Sequence, residues 1–240
     1  MFLGKNSFFY YFSRSNKIFK IMKRKLFSVV FSMFLGALAM ISCKKEKPVS
    51  GENNEAVASR EGAQYTVDTL NSKVEWKGYK IFKSENTSHF GTIKFESGDV
   101  TVKDSKLESG KFVADMTSLT SEDLKNNTAQ LEKLNTHLKS NDFFEVEKFP
   151  TASFEITKVT PSADGDYNTL LDGNLTIKGI TKPVQFRANV SVKDEGVNIA
   201  TEPKDISREE FGVAFQSPVE NGVIKDEITI QINVKALEKK

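Results

Sequence analysis

The chain has 240 residues, of which 38% are apolar and 28% charged, and its formal charge is +2. That balance misleads: residues 1–42 hold seven Lys or Arg and no acid, leaving 27 basic against 32 acidic residues, a charge of −5, from residue 43 onward. Such a domain has no basic excess to meet a phosphate backbone, so nucleic acid is not an expected partner.

At the N-terminus, Met22-Lys23-Arg24-Lys25 precedes an apolar run from Leu26 to Ile41. A cationic stretch followed by an apolar core and a small residue has the layout of a secretory signal peptide. The run is short of the ~20 residues that a membrane span needs. The expected signal region is 1–42, with translation starting at Met22 and the signal peptide at 22–42. A long cationic region over residues 1–21 is the alternative, and the sequence leaves both open.

Cys43, the only cysteine, directly follows the apolar run. A lone exported thiol can form no internal disulfide and is a liability in an oxidising compartment. Acylation would consume it. Met40-Ile41-Ser42-Cys43 resembles a bacterial lipoprotein box, with Met40 where Leu is usual. The resemblance implies a lipidated Cys43, membrane anchoring through N-terminal acyl chains, and a place in the bacterial cell envelope, periplasm or outer membrane. An ordinary signal peptide with an incidental cysteine is the alternative. Residues 43–63 are rich in Lys, Glu, Asn, Ser and Ala with hardly a large apolar side chain, so they cannot offset their ordering entropy and read as a flexible tether. Residues 64–240 fit a single domain.

Within that domain the period is two. Val74 and Trp76, Ile93 and Phe95, then Phe112, Ala114 and Met116 alternate with polar residues. So do Phe154 and Ile156, Leu175 and Ile177, Val184 to Val190, and finally Ile228, Ile230, Ile232 and Val234. Strict alternation marks strands wet on one face and buried on the other, the habit of antiparallel sheets. Ser97-Gly98-Asp99, Asp164-Gly165-Asp166, Asp194-Glu195-Gly196 and Asn221-Gly222 read as the turns between them. One segment differs: Leu124, Leu131, Leu134 and Leu138 recur at helical spacing, with Thr120 and Asp123 placed as a capping pair. The spacing predicts a helix between Thr120 and Lys139, leading into Phe143-Phe144.

Two stretches carry a family resemblance. His137-Leu138-Lys139-Ser140-Asn141-Asp142-Phe143-Phe144-Glu145-Val146-Glu147-Lys148-Phe149-Pro150 and Leu175-Thr176-Ile177-Lys178-Gly179-Ile180-Thr181-Lys182-Pro183-Val184 are similar to patterns of the YceI-like lipid- and polyisoprenoid-binding proteins. Arg208-Glu209-Glu210-Phe211-Gly212 resembles a third, and the order agrees. Glu145 and Glu210 stand where Asp is usual, and Phe149 where Tyr is usual, each keeping the chemical type. The resemblance, over roughly Tyr65 to Leu237, implies an all-β, antiparallel, lipocalin-like eight-stranded barrel with one inserted α-helix. It also implies an apolar tunnel for a long isoprenoid, either a polyprenyl lipid or a quinone tail.

Chemistry-bearing residues are few. His89 and His137 are the only histidines, too few for the common structural zinc sets, and neither stands in a metalloprotease context. No glycine-rich phosphate loop or nucleophile elbow appears, so no catalytic residue, metal or cofactor is expected and binding is favoured over catalysis. The aromatic side chains Trp76, Phe90, Phe95, Phe112, Phe154 and Phe186 either fill a solid core or line a ligand cavity, and an eight-stranded interior suits both. With the family resemblance, Trp76, Phe95, Phe112, Phe154, Leu175, Ile177, Phe186, Ile230 and Ile232 are expected to line the tunnel, and His89, Phe143 and Phe144 to stand at its mouth. A homodimer is left open. The alternatives are an envelope interaction module with a vestigial cavity, or a lipid-processing enzyme acting through His89 or His137.

Overall fold

The structure, a computed structural model, describes residues 61–163 and 165–239. The expected signal region 1–42, the expected acylation site Cys43 and residues 43–60 of the expected tether lie outside the described residues. Among the described residues ten strands and one α-helix follow in order, with a 3-10 turn at Glu209–Phe211 before the last strand: β1 Ala63–Val67, β2 Lys73–Phe82, β3 Glu85–Lys103, β4 Lys106–Ser121, α1 Thr128–Lys139, β5 Thr151–Pro161, β6 Thr169–Ile177, β7 Ile180–Lys193, β8 Gly196–Thr201, β9 Lys204–Ser207 and β10 Gly222–Glu238.

Neighbours pair antiparallel in the order β10-β2-β3-β4-β5-β6-β7-β8, and β8 pairs back with β10, closing a ring of eight strands. The two remaining strands continue existing staves. β1 lies against Ala236–Glu238 of β10 and Asp99–Val102 of β3, while β2 runs on in line along the same two strands. Likewise β8 and β9 are successive partners of β10, parted at Glu202-Pro203, where proline has no N–H to give a ladder. The barrel that the family resemblance implies is therefore the one formed, and the ring closes where Asn233–Ala236 of β10 pair with β8. Closure matters because so long an apolar strand would otherwise present a free edge.

Three hairpins turn on two residues with positive φ at both: Lys83-Ser84, Asp104-Ser105 and Lys178-Gly179. Such geometry matches the right-handed twist of the flanking strands. Two of these turns contain no glycine, which is why the sequence reading passed over them. The turn expected at Ser97-Gly98-Asp99 is instead interior to β3, where the register slips between Phe95 and Ser97 as a bulge.

The helix also begins later than its leucine spacing predicts. Thr120 stays in β4, opposite Thr92. The Asp123 carboxylate is engaged by the Phe90 N–H (3.0 Å), the Ser121 hydroxyl (2.7 Å) and His89 Nδ1 (2.8 Å), so it cannot cap. Asn127 caps instead, accepting from the Gln130 N–H at 3.1 Å, and Leu124 falls outside α1. Asn135 then holds α1 to the end of β4, accepting from the Ser121 N–H and donating to Thr120 Oγ1.

Candidate functional site

The interior is solid at one end and hollow at the other. Val100, Ile156, Leu171, Phe186, Val197 and Ala236, each at most 1% exposed, pack as a solid core. The hollow part is a cavity of about 530 Å³, within the usual size of small-molecule sites. The sequence could not choose between a filled and a hollow barrel because this one is both.

Trp76, Phe95, Phe112, Phe154, Leu175, Ile177, Ile230 and Ile232 all stand on the cavity wall. Phe186 does not. It is fully buried with its ring edge-on to Phe154 at 5.2 Å, in the packed core. His89, Phe143 and Phe144 are also wall residues. Ala114 and Ala152, opposite one another on β4 and β5, are wall positions with small side chains.

Sequence reasoning missed a further part of the wall: Phe215, Ser217, Pro218 and Val219, from the loop between β9 and β10, and Leu134, Leu138 and Lys133 from α1. That loop has no period to read. Its only signal was the short apolar run Val213-Ala214-Phe215 after Gly212. Aromatic contacts join these pieces, for His137 stands edge-on to Phe143 (5.0 Å) and to Phe215 (4.7 Å). His137 thus packs at the helix end, with the Asp142 carboxylate 3.4 Å from its Nε2.

The three motif segments, far apart in sequence, meet here. Lys178 Nζ donates to the Gly212 carbonyl (3.3 Å) and lies 3.8 Å from Glu145. A side chain at Gly179, where φ is 74°, would have its Cβ 2.9 Å from the Phe149 ring. Arg208 is 2% exposed; its Nε donates to the Lys225 carbonyl (3.0 Å), Nη2 to that of Ile224 (3.3 Å) and Nη1 to that of Val213. The motifs therefore brace the loops that frame the cavity. Close approach also explains Gly91, whose added Cβ would sit 1.9 Å from the Thr120 carbonyl oxygen and 2.8 Å from the Trp76 ring.

Electrostatics around the site are set by hydrogen bonding. Burial pushes the Asp123 carboxyl up, but bonds from Ser121, His89 and the Phe90 N–H outweigh it and hold it below its ordinary value of 3.8. Asp226 follows the same logic: burial raises it, and Ser207, the Glu209 N–H and the Arg208 charge lower it further. Both folded values lie below the unfolded ones, so their contribution to stability is complete above the unfolded value and lost as pH falls through the folded one. We expect the urea midpoint to hold steady down to about pH 4 and drop below it, with a smaller drop in Asp123→Asn. A midpoint that instead rises on acidification contradicts this.

As for chemistry, His89 has an oriented ring, yet no nucleophile bonds its other nitrogen among the described residues. Among those residues there is also no group of three or more His, Cys, Asp or Glu placed to hold a metal ion. What the arrangement can do is enclose apolar surface.

A closed antiparallel barrel with an apolar, half-filled interior and a helix-and-loop rim defines the structural class. Residues 65–236 match the YceI-like domain, and the chain belongs to that family. It is 32% identical over 134 residues to a UPF0312 protein of Vibrio parahaemolyticus (53% of this chain, 63% of that one). A UPF0312 protein of Pseudomonas putida is 33% identical over 122 residues (48% and 59%). The chain thus spans less than two thirds of these relatives' length. Among solved structures, BcnA of Burkholderia cenocepacia superposes with a TM-score of 0.56 at 23% identity, covering 70% of this chain and 98% of that one. A domain of Saccharophagus degradans, described as polyisoprenoid binding, has a TM-score of 0.49 at 12% identity, covering 73% and 98%.

Proposed function

We propose that the hollow end of the barrel holds the chain of a long isoprenoid or related amphiphilic lipid, such as a polyprenyl lipid or a quinone tail. In this reading the protein is a carrier or store, tethered to a membrane of the bacterial envelope by acyl chains on Cys43, and not an enzyme. The observation that carries it is the 530 Å³ cavity walled mainly by aromatic and aliphatic side chains. An isoprene chain offers only apolar surface, and its burial contributes about 25 cal/mol per Å² removed from water.

Trp76 is the only tryptophan and stands on the wall, so its fluorescence reports on the cavity. Titrating detergent-solubilised protein with geranylgeraniol should change that emission saturably. Ala114→Leu, which fills part of the cavity, should weaken long chains more than short ones. No saturable change with any prenyl chain would defeat the proposal. The tether has its own test: Cys43→Ser should move the protein to the soluble fraction, since each buried acyl methylene is worth about 0.8 kcal/mol of anchoring. Continued membrane association of that variant would reject acylation.

A further inference from the structure

We infer that the cavity selects amphiphiles with an anionic head group, which deepens the lipid-holding reading and rests on it. Every ionisable side chain on the wall other than Tyr79 is basic: Lys80, Lys133, Lys225, His89, His137 and Arg208. No Asp or Glu stands among the wall residues. This runs against the composition, because from residue 43 onward the chain is net acidic.

The cations divide into two groups. His89, His137 and Arg208 each have a carboxylate neighbour off the wall, in Asp123, Asp142 and Glu209. Lys80, Lys133 and Lys225 have no carboxylate partner among the described residues. Lys225 Nζ lies 5.9 Å from the centre of the Tyr79 ring. Register places Lys80 and His89 on one face, because His89 pairs with Gly78, two residues before Lys80, whereas Lys225 follows Ile224, the partner of Lys80, and so lies beside Tyr79 on the opposite face. Lys133 reaches the same cavity from α1. Lys80 and Lys133 are exposed, so their ammonium groups mark the wet end, whereas the deeper wall is apolar.

An ammonium group is a compact point charge with three donors, suited to a phosphate or carboxylate oxygen. A neutral quinone ring gives it nothing to neutralise. The seat therefore fits an apolar chain carrying a phosphate or carboxylate, with the chain in the barrel and the charge beside Lys80 and Lys133.

The test compares probes of one chain length: geranylgeraniol, geranylgeranyl phosphate and geranylgeranoic acid, each followed by Trp76 fluorescence at low and high salt. Exposed ion pairs give a few-fold each, so two together should favour an anionic probe by about fivefold, with the preference reduced by salt. Tight binding of the phosphate alone assigns a phosphate head, and of both acids a general anion seat. The double variant Lys80→Gln, Lys133→Gln should lose the preference, read as the ratio of its affinities for geranylgeranyl phosphate and geranylgeraniol. Equal binding of all three probes by the native protein overturns the inference and leaves the lipid reading standing. Binding of none overturns both. If the variant keeps the preference but no longer binds anionic vesicles, the lysines serve a membrane surface and the inference is likewise overturned.

Discussion

Replacing Arg208 by Met is expected to destabilise the barrel by about 3–5 kcal/mol, because three backbone carbonyls lose a charged donor at once. The Val213 carbonyl loses most, since its bond to Arg208 is the wholly buried one of the three. Glu209, about half exposed and 3.6 Å away, can turn to water and contributes little. Arg208 lies at the start of the loop that brings Phe215, Ser217, Pro218 and Val219 to the cavity. The same substitution should therefore also weaken probe binding by the folded fraction. Lys at this position keeps the charge but lacks the planar fork that serves several carbonyls, so an intermediate loss is expected. Urea unfolding followed by circular dichroism is the measurement. A Met variant within about 0.5 kcal/mol of the native protein, the range of ordinary surface changes, would refute the bracing role.

The second large effect separates the two ends of the barrel. Phe186→Ala should cost about 3–5 kcal/mol, as truncation of a fully buried phenyl ring does when the surroundings collapse only partly. Ile177→Ala should cost less, since Ile177 already faces empty space on one side and has fewer contacts to lose. Binding should show the reverse order: the wall substitution changes Trp76-monitored affinity, and the Phe186 substitution leaves it nearly unchanged in the folded protein. If Phe186→Ala abolishes binding at unaltered stability, the hollow extends past Phe154 and the division into filled and empty ends is wrong.

Both results bear on how much the sequence could say. Phe154 and Phe186 look alike in the chain, each an aromatic between polar neighbours on an alternating strand. One walls the cavity and the other fills the core behind it. Alternation reports whether a side chain points inward, because successive residues of a strand face opposite ways. It does not report depth along the barrel axis, which depends on the stagger between strands. The helix start was obscured for a related reason: Asp123 had the spacing of a cap, but the β3–β4 pairing brought Phe90 and His89 to its carboxylate.

The sequence by itself determined the antiparallel strands, the presence of a helix before Phe143-Phe144 and the family, since these rest on local period and on motifs. Tertiary structure alone decided that the barrel is hollow at one end, that three distant motifs meet through Lys178, Glu145 and Gly212, and that Lys80 from β2 and Lys133 from α1 stand on one cavity wall. Each of those depends on register between strands remote in the chain, and a slip of one residue in any pairing would turn the side chains to the opposite face.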